Sequence, residues 1–148
     1  MAYTAGAIEG IRMHPELFKD TLFMGASTGA IVACCACIRM DAPTIKKLMG
    51  NFNSAFSKKS LLSSTRLIRL LSEQLRSYLP DDAHIMCSNR LYIAYTEVDI
   101  SLCRTCTKQR YICEFQSNDE LINAIVTSCS IPLIQDTYPI RTLRGYFA

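Results

Sequence analysis

No stretch of about 18 consecutive apolar residues occurs in the sequence, which excludes a helix that crosses a bilayer. Met1 to Arg12 also lacks the basic start and long apolar stretch of a secretory signal, so a cytoplasmic chain is expected. Internal repeats and low-complexity linkers are absent too, which argues against a solenoid or beads on a flexible string. Histidine is scarce: only His14 and His84 are present to serve chemistry that needs an imidazole. Charged residues make up 20% against 49% hydrophobic, and mean hydropathy is +0.13. That balance lies at the apolar edge of soluble globular chains and outside the disordered class. With 148 residues the expectation is one domain, 1–148, with a real core.

Eight cysteines in a small secreted chain would suggest a disulfide scaffold. Here Cys34, Cys35 and Cys37 sit inside an apolar helical run, where a free thiol behaves as a small hydrophobe. Cys103 and Cys106 have CxxC spacing, but only Cys113 and Cys129 follow, and a zinc site needs a second pair at comparable spacing. No metal and no cofactor are therefore expected. The net charge of +3 is unevenly placed. From Ala42 to Pro80 seven basic residues, Lys46, Lys47, Lys58, Lys59, Arg66, Arg69 and Arg76, face Glu73 alone, leaving the rest of the chain acidic. Such a segment suits a solvated helix face or an anionic surface such as acidic lipid. Aromatic and Gly-basic interleaving and zinc-finger spacing are missing, so nucleic acid is not an expected partner.

Tyr3 to Arg12 predicts a short helix stopped by Pro15. Thr21 to Met24, closed by Gly25, has the pattern of a buried central strand, and Thr28 to Met40, apolar nearly all round, that of a buried helix. Asp41 as N-cap and Pro43 in the first turn open a helix to Phe56. In Ser64 to Leu79 the apolar set Leu67, Leu71, Leu75 and Tyr78 lies opposite Arg66, Arg69, Glu73 and Arg76, and Pro80 ends this second helix. Arg90 to Ile100 and Arg110 to Phe115 predict a hairpin across a polar, Cys-containing link. Ser117 with Glu120 forms a capping box before a helix that Pro132 closes, and Leu143 to Ala148 predicts a strand entering the sheet. Strands alternating with helices favour an α/β sandwich with a mostly parallel sheet.

Gly25, Ala26, Ser27, Thr28 and Gly29 spell GxSxG between that strand and that helix. A serine held in a sharp, strained strand-to-helix turn needs Gly at the flanking positions to avoid steric collision, a need Gly25 and Gly29 fit, and the helix that follows aims free amides at a developing oxyanion. Ser27 is the candidate nucleophile, with Gly25, Ala26, Thr28 and Gly29 as its turn. Activation calls for a base, yet His14 lies in a turn and His84 in a polar loop, and neither fits the usual serine hydrolase order.

Phe23 to Ala33, FMGASTGAIVA, resembles the serine turn of the patatin-like phospholipase family, in particular its animal-type neutral lipase branch. SNRLYIAYTEV, Ser88 to Val98, resembles the family's central strand, and FQSNDELINAIVTSCSIPLI, Phe115 to Ile134, the helix and Ser-x-x-x-Pro turn beside its active site. The resemblance covers nearly the whole chain and implies a three-layer α/β/α sandwich. It further implies a Ser-Asp dyad in which Ser27 attacks an ester carbonyl of a phospholipid or acylglycerol. The aspartate of that dyad is expected after a strand resembling Leu143 to Ala148, beyond residue 148, and Asp136 is not assigned the role. A glycine-rich oxyanion loop is expected upstream of Tyr3, so the 148 residues alone are expected to be nearly inactive. The resemblance places such a protein peripherally on a membrane or lipid droplet. The alternative is a catalytically dead lipid-binding or scaffolding member of the same fold.

Overall fold

The computed structural model describes residues 2–18, 20–57, 64–101, 104–130, 142–143 and 146–147. Helix α1 (Ala2–Arg12) is followed by a 3-10 turn at Pro15–Phe18 and strand β1 (Phe23–Gly25). Four helices follow: α2 (Thr28–Cys37), α3 (Ala42–Ser57), α4 (Ser64–Tyr78) and α5 (Ala83–Cys87). Strands β2 (Leu91–Ser101) and β3 (Arg104–Ile112), helix α6 (Asn118–Cys129) and the two-residue strands β4 (Thr142–Leu143) and β5 (Tyr146–Phe147) complete the order.

Strand β1 runs parallel to β2, with Phe23 opposite Leu91 and Gly25 opposite Ile93. Strand β2 pairs antiparallel with β3 from Ile93 opposite Ile112 out to Ser101 opposite Arg104. Phe23, Leu91, Ile93 and Ile112 share one face of this sheet and are buried. Helix α2 lies against β1 and β2 and also touches α6. It is apolar all round because it is enclosed: Ala30, Ile31, Cys34, Cys35 and Cys37 are each at most 1% exposed. On α4, Leu71 and Leu75 turn inward while Arg69, Glu73 and Arg76 stay exposed, as their spacing predicts. On the opposite face of the sheet Met24 and Tyr111 remain half or more exposed.

Four expectations change. The sheet of the described residues is mixed rather than mostly parallel, because β2 and β3 form a hairpin, and a short link joins only antiparallel strands. The hairpin also takes in most of the expected polar link. Its exposed residues Thr107 to Arg110 pair along β2, with Arg110 Nε 2.5 Å from the Glu97 carboxylate. Thr142–Leu143 and Tyr146–Phe147 pair with each other instead of forming one strand of the main sheet. Gly145, of the residue type that favours a reversal, interrupts that stretch in the sequence. Finally, residues 83–87 form a helix where a loop was expected. Five residues are too few to show periodicity, and this turn is held from outside: His84 N–H donates to Asn118 Oδ1 at 2.9 Å.

Candidate active site around Ser27

Strand β1 ends at Gly25 and α2 begins at Thr28, so Ala26 and Ser27 must make the whole change of direction. Ser27 does so with φ 53° and ψ −130°. That conformation is rare for a residue with a side chain and costs on the order of 1–3 kcal/mol. Neighbouring bonds hold it. Gly29 N–H donates to the Ala26 carbonyl at 2.8 Å, and Ala30 N–H to the Ser27 carbonyl at 2.9 Å. From the far side, Ser27 N–H donates to Ser128 Oγ at 2.9 Å, and the Ser128 hydroxyl donates to the Ala94 carbonyl of β2 at 2.6 Å.

The two glycines of the turn have different reasons. A Cβ on Gly25 would stand 2.3 Å from the Gly29 carbonyl oxygen, so the close approach of strand and helix requires glycine there. A Cβ on Gly29 would meet nothing within 4 Å, so the collision expected from the motif does not apply at that position. The small residue belongs at Gly25, and the backbone of Gly29 is what it must avoid.

Ser27 occupies the N-cap position of α2, where serine usually bonds the helix's own amides, but its hydroxyl makes no such bond. The residue is exposed. Its side chain lies beside the Cys129 thiol. Burial pushes that thiol up to about 11, with the neighbouring Ser27 hydroxyl pulling the other way, so it stays protonated near neutral pH and is no base for Ser27. Thr28 N–H, the first amide of α2, has no acceptor among the described residues and belongs to the donors a helix start leaves over.

Neither histidine joins this arrangement. His14 Nδ1 is 3.0 Å from Glu16 at the surface, and His84 Nδ1 is 2.9 Å from Asn118 Oδ1 on α6. Asp136 lies outside the described residues, as does Cys103. Cys34, Cys35, Cys37 and Cys87 lie in the core. Cys34 and Cys87 are 3.9 Å apart, and Cys37 reaches the Met86 carbonyl at 3.6 Å. Burial raises Cys35 to about 12, while the contact with Cys87 and then burial push Cys37 up. These are packing thiols.

Beside the turn an open groove of about 650 Å³ is lined by Ile8 and Ile11 of α1, Thr21 to Met24, and the first turns of α2 from Thr28. Four consecutive residues line it, so it follows the edge of β1 rather than one face. That edge has no strand partner among the described residues. In the basic segment Lys46 and Lys47 are exposed, whereas Arg69 pairs with Glu73 at 2.9 Å and Arg76 with Asp119. Lys58 and Lys59 lie outside the described residues. Among the described residues no helix is long and apolar enough to cross a membrane.

Sequence reading placed Ser27 and its turn but missed the part played by Ser128 and Cys129. Both fall in the stretch whose Ser-x-x-x-Pro pattern marks the end of α6, where Ser128 is 101 residues away from Ser27.

The class these features define is an α/β protein with an exposed serine in a strained strand-to-helix turn. The family profile described as Patatin-like phospholipase matches residues 1–146, and the chain belongs to that family. Human omega-hydroxyceramide transacylase is 28% identical over 156 residues, covering 98% of this chain and 28% of the relative. Mouse 1-acylglycerol-3-phosphate O-acyltransferase Pnpla3 is 29% identical over 135 residues, covering 88% and 31%. Human patatin-like phospholipase domain-containing protein 4 is 25% identical over 141 residues, covering 88% and 52%. The chain thus spans between about a quarter and a half of the length of these relatives. No solved structure matches it.

Proposed function

We propose that Ser27 is the nucleophile of a lipid acyl hydrolase or acyl-transfer enzyme acting on carboxylic esters of phospholipids or acylglycerols. The observation that carries this reading is the geometry of Ser27: an exposed serine at φ 53° between a strand and its helix, its hydroxyl unused as a cap. Strain of this kind is retained where function needs it. In the proposed step the Ser27 oxygen bonds the acyl carbon, the lipid's ester C–O bond breaks, and the serine proton passes through a base to the departing alkoxide. Water, or an acceptor alcohol as the names of two relatives imply for them, then takes the acyl group. The Thr28 amide is the donor this chain can offer to the oxyanion, since the residue after the nucleophile supplies it in such turns. Family membership supports a Ser-Asp dyad within the three-layer sandwich. Among the described residues no carboxylate bonds Ser27, so the aspartate is proposed from the family alone. The lipid-droplet or membrane setting is proposed on the same ground.

A fluorophosphonate ester, which bonds an activated serine with loss of fluoride, tests the nucleophile. Because the dyad aspartate is expected beyond residue 148, the adduct is expected to form slowly on this chain. Mass mapping is expected to find it on Ser27 and to lose it in Ser27→Ala; an adduct elsewhere, or none after prolonged exposure, defeats the reading. Turnover tests the dyad. If the 148 residues hydrolyse a fatty acyl ester at ordinary lipase rates, dependent on Ser27, an external aspartate is not needed.

A further inference from the structure

We infer that Ser128 is the positioning residue for Ser27. Its hydroxyl is the link that lets α6 and β2 together hold the serine turn in its strained form. The consequence for catalysis rests on Ser27 being the nucleophile, whereas the structural part does not.

The direction of the Ser128 hydroxyl is the first ground. Serines within or just after helices commonly turn back on the carbonyl four residues earlier. Ser72 does so to Ile68, Ser88 to His84 and Ser130, at the end of α6 itself, to Val126. Ser128 does not. Its hydroxyl leaves the helix, donates to the Ala94 carbonyl and accepts from Ser27 N–H.

Place in the sheet is the second ground. Gly25 and Ile93 are the last partners of the β1–β2 ladder; Ala94 follows Ile93 on β2, and Ser27 lies two residues past Gly25 in the turn. There the strands part, because the Ser27 turn carries the chain toward α2. One hydroxyl can donate and accept at once, so Ser128 continues the ladder by one inserted atom across this gap. Without it, Ser27 N–H and the Ala94 carbonyl each lose that partner, at the one residue of the turn in an unfavourable conformation. Alanine removes both bonds, threonine keeps both, and cysteine keeps the shape with a weak donor and acceptor.

Two measurements on the same chain decide the matter. Amide hydrogen exchange at Ser27, referred to the Ile93 amide as a core standard, is expected to speed up about tenfold in Ser128→Ala. Phosphonylation of Ser27 is expected to slow by a similar factor, and Ser128→Thr to restore both. Should Ser128→Ala not fold, Ser128→Cys is expected to shift both readouts in the same directions. Exchange at Ser27 that does not change, or that rises only in step with Ile93, overturns the inference, as does an unchanged labelling rate. If the unsubstituted chain exchanges as described but is never phosphonylated, the proposed activity fails and the structural link stands.

Discussion

A methyl group on Gly25 would stand 2.3 Å from the Gly29 carbonyl oxygen and 2.6 Å from the Ala30 nitrogen, both backbone atoms that no side-chain rotation can clear. Gly25→Ala is therefore expected to destabilise the chain by about 1–3 kcal/mol in a denaturant titration and to slow phosphonylation of Ser27, because strand and helix must separate. Gly29→Ala fills open space and is expected to change stability by less than about 0.5 kcal/mol. Equal losses in the two variants would show that the turn is not built this way. The sequence pattern treats the two glycines alike, since it reports residue types and spacing but not which backbone lies over which position.

At the scale of the element, start signals written in a few adjacent residues were legible. Asp41 accepts from the Thr44 hydroxyl at 2.9 Å and from Thr44 N–H at 3.0 Å, the cap expected for α3. Ser117 Oγ likewise accepts from Glu120 N–H at 3.2 Å at the head of α6. The two Thr44 bonds favour the ionised Asp41 and hold its pKa below the ordinary 3.8. The folded value being the lower one, the stabilisation is complete above pH 4 or so and fades as pH falls through the folded value. Asp41→Ala is expected to lower the thermal midpoint clearly at pH 7 and much less near pH 2.5; an equal loss at both would rule out the carboxylate as the cap. Helix α5 was not legible, because its five residues depend on Asn118, whose side chain also bonds the Pro80 carbonyl.

For the whole molecule, the basic segment carries more charge in the sequence than it leaves free in the fold. Arg69 and Arg76 are paired, whereas Lys46 and Lys47 of α3 are exposed and pair with no carboxylate among the described residues. If this side meets acidic lipid, binding to anionic vesicles should weaken as ionic strength rises from about 0.05 M to about 0.5 M, and Lys46→Gln with Lys47→Gln should weaken it further. Binding indifferent to salt would sink that orientation. The amino-acid order alone determined that a short buried strand gives way to an apolar helix across a small-residue turn, and so that Ser27 stands at the bend, because strand and helix preferences are local. Tertiary structure decided what surrounds that serine. Ser128 and Cys129 reach it only because α6 packs beside β2 and α2, and a contact across 101 residues is fixed by the fit of buried surfaces rather than by any neighbouring letters.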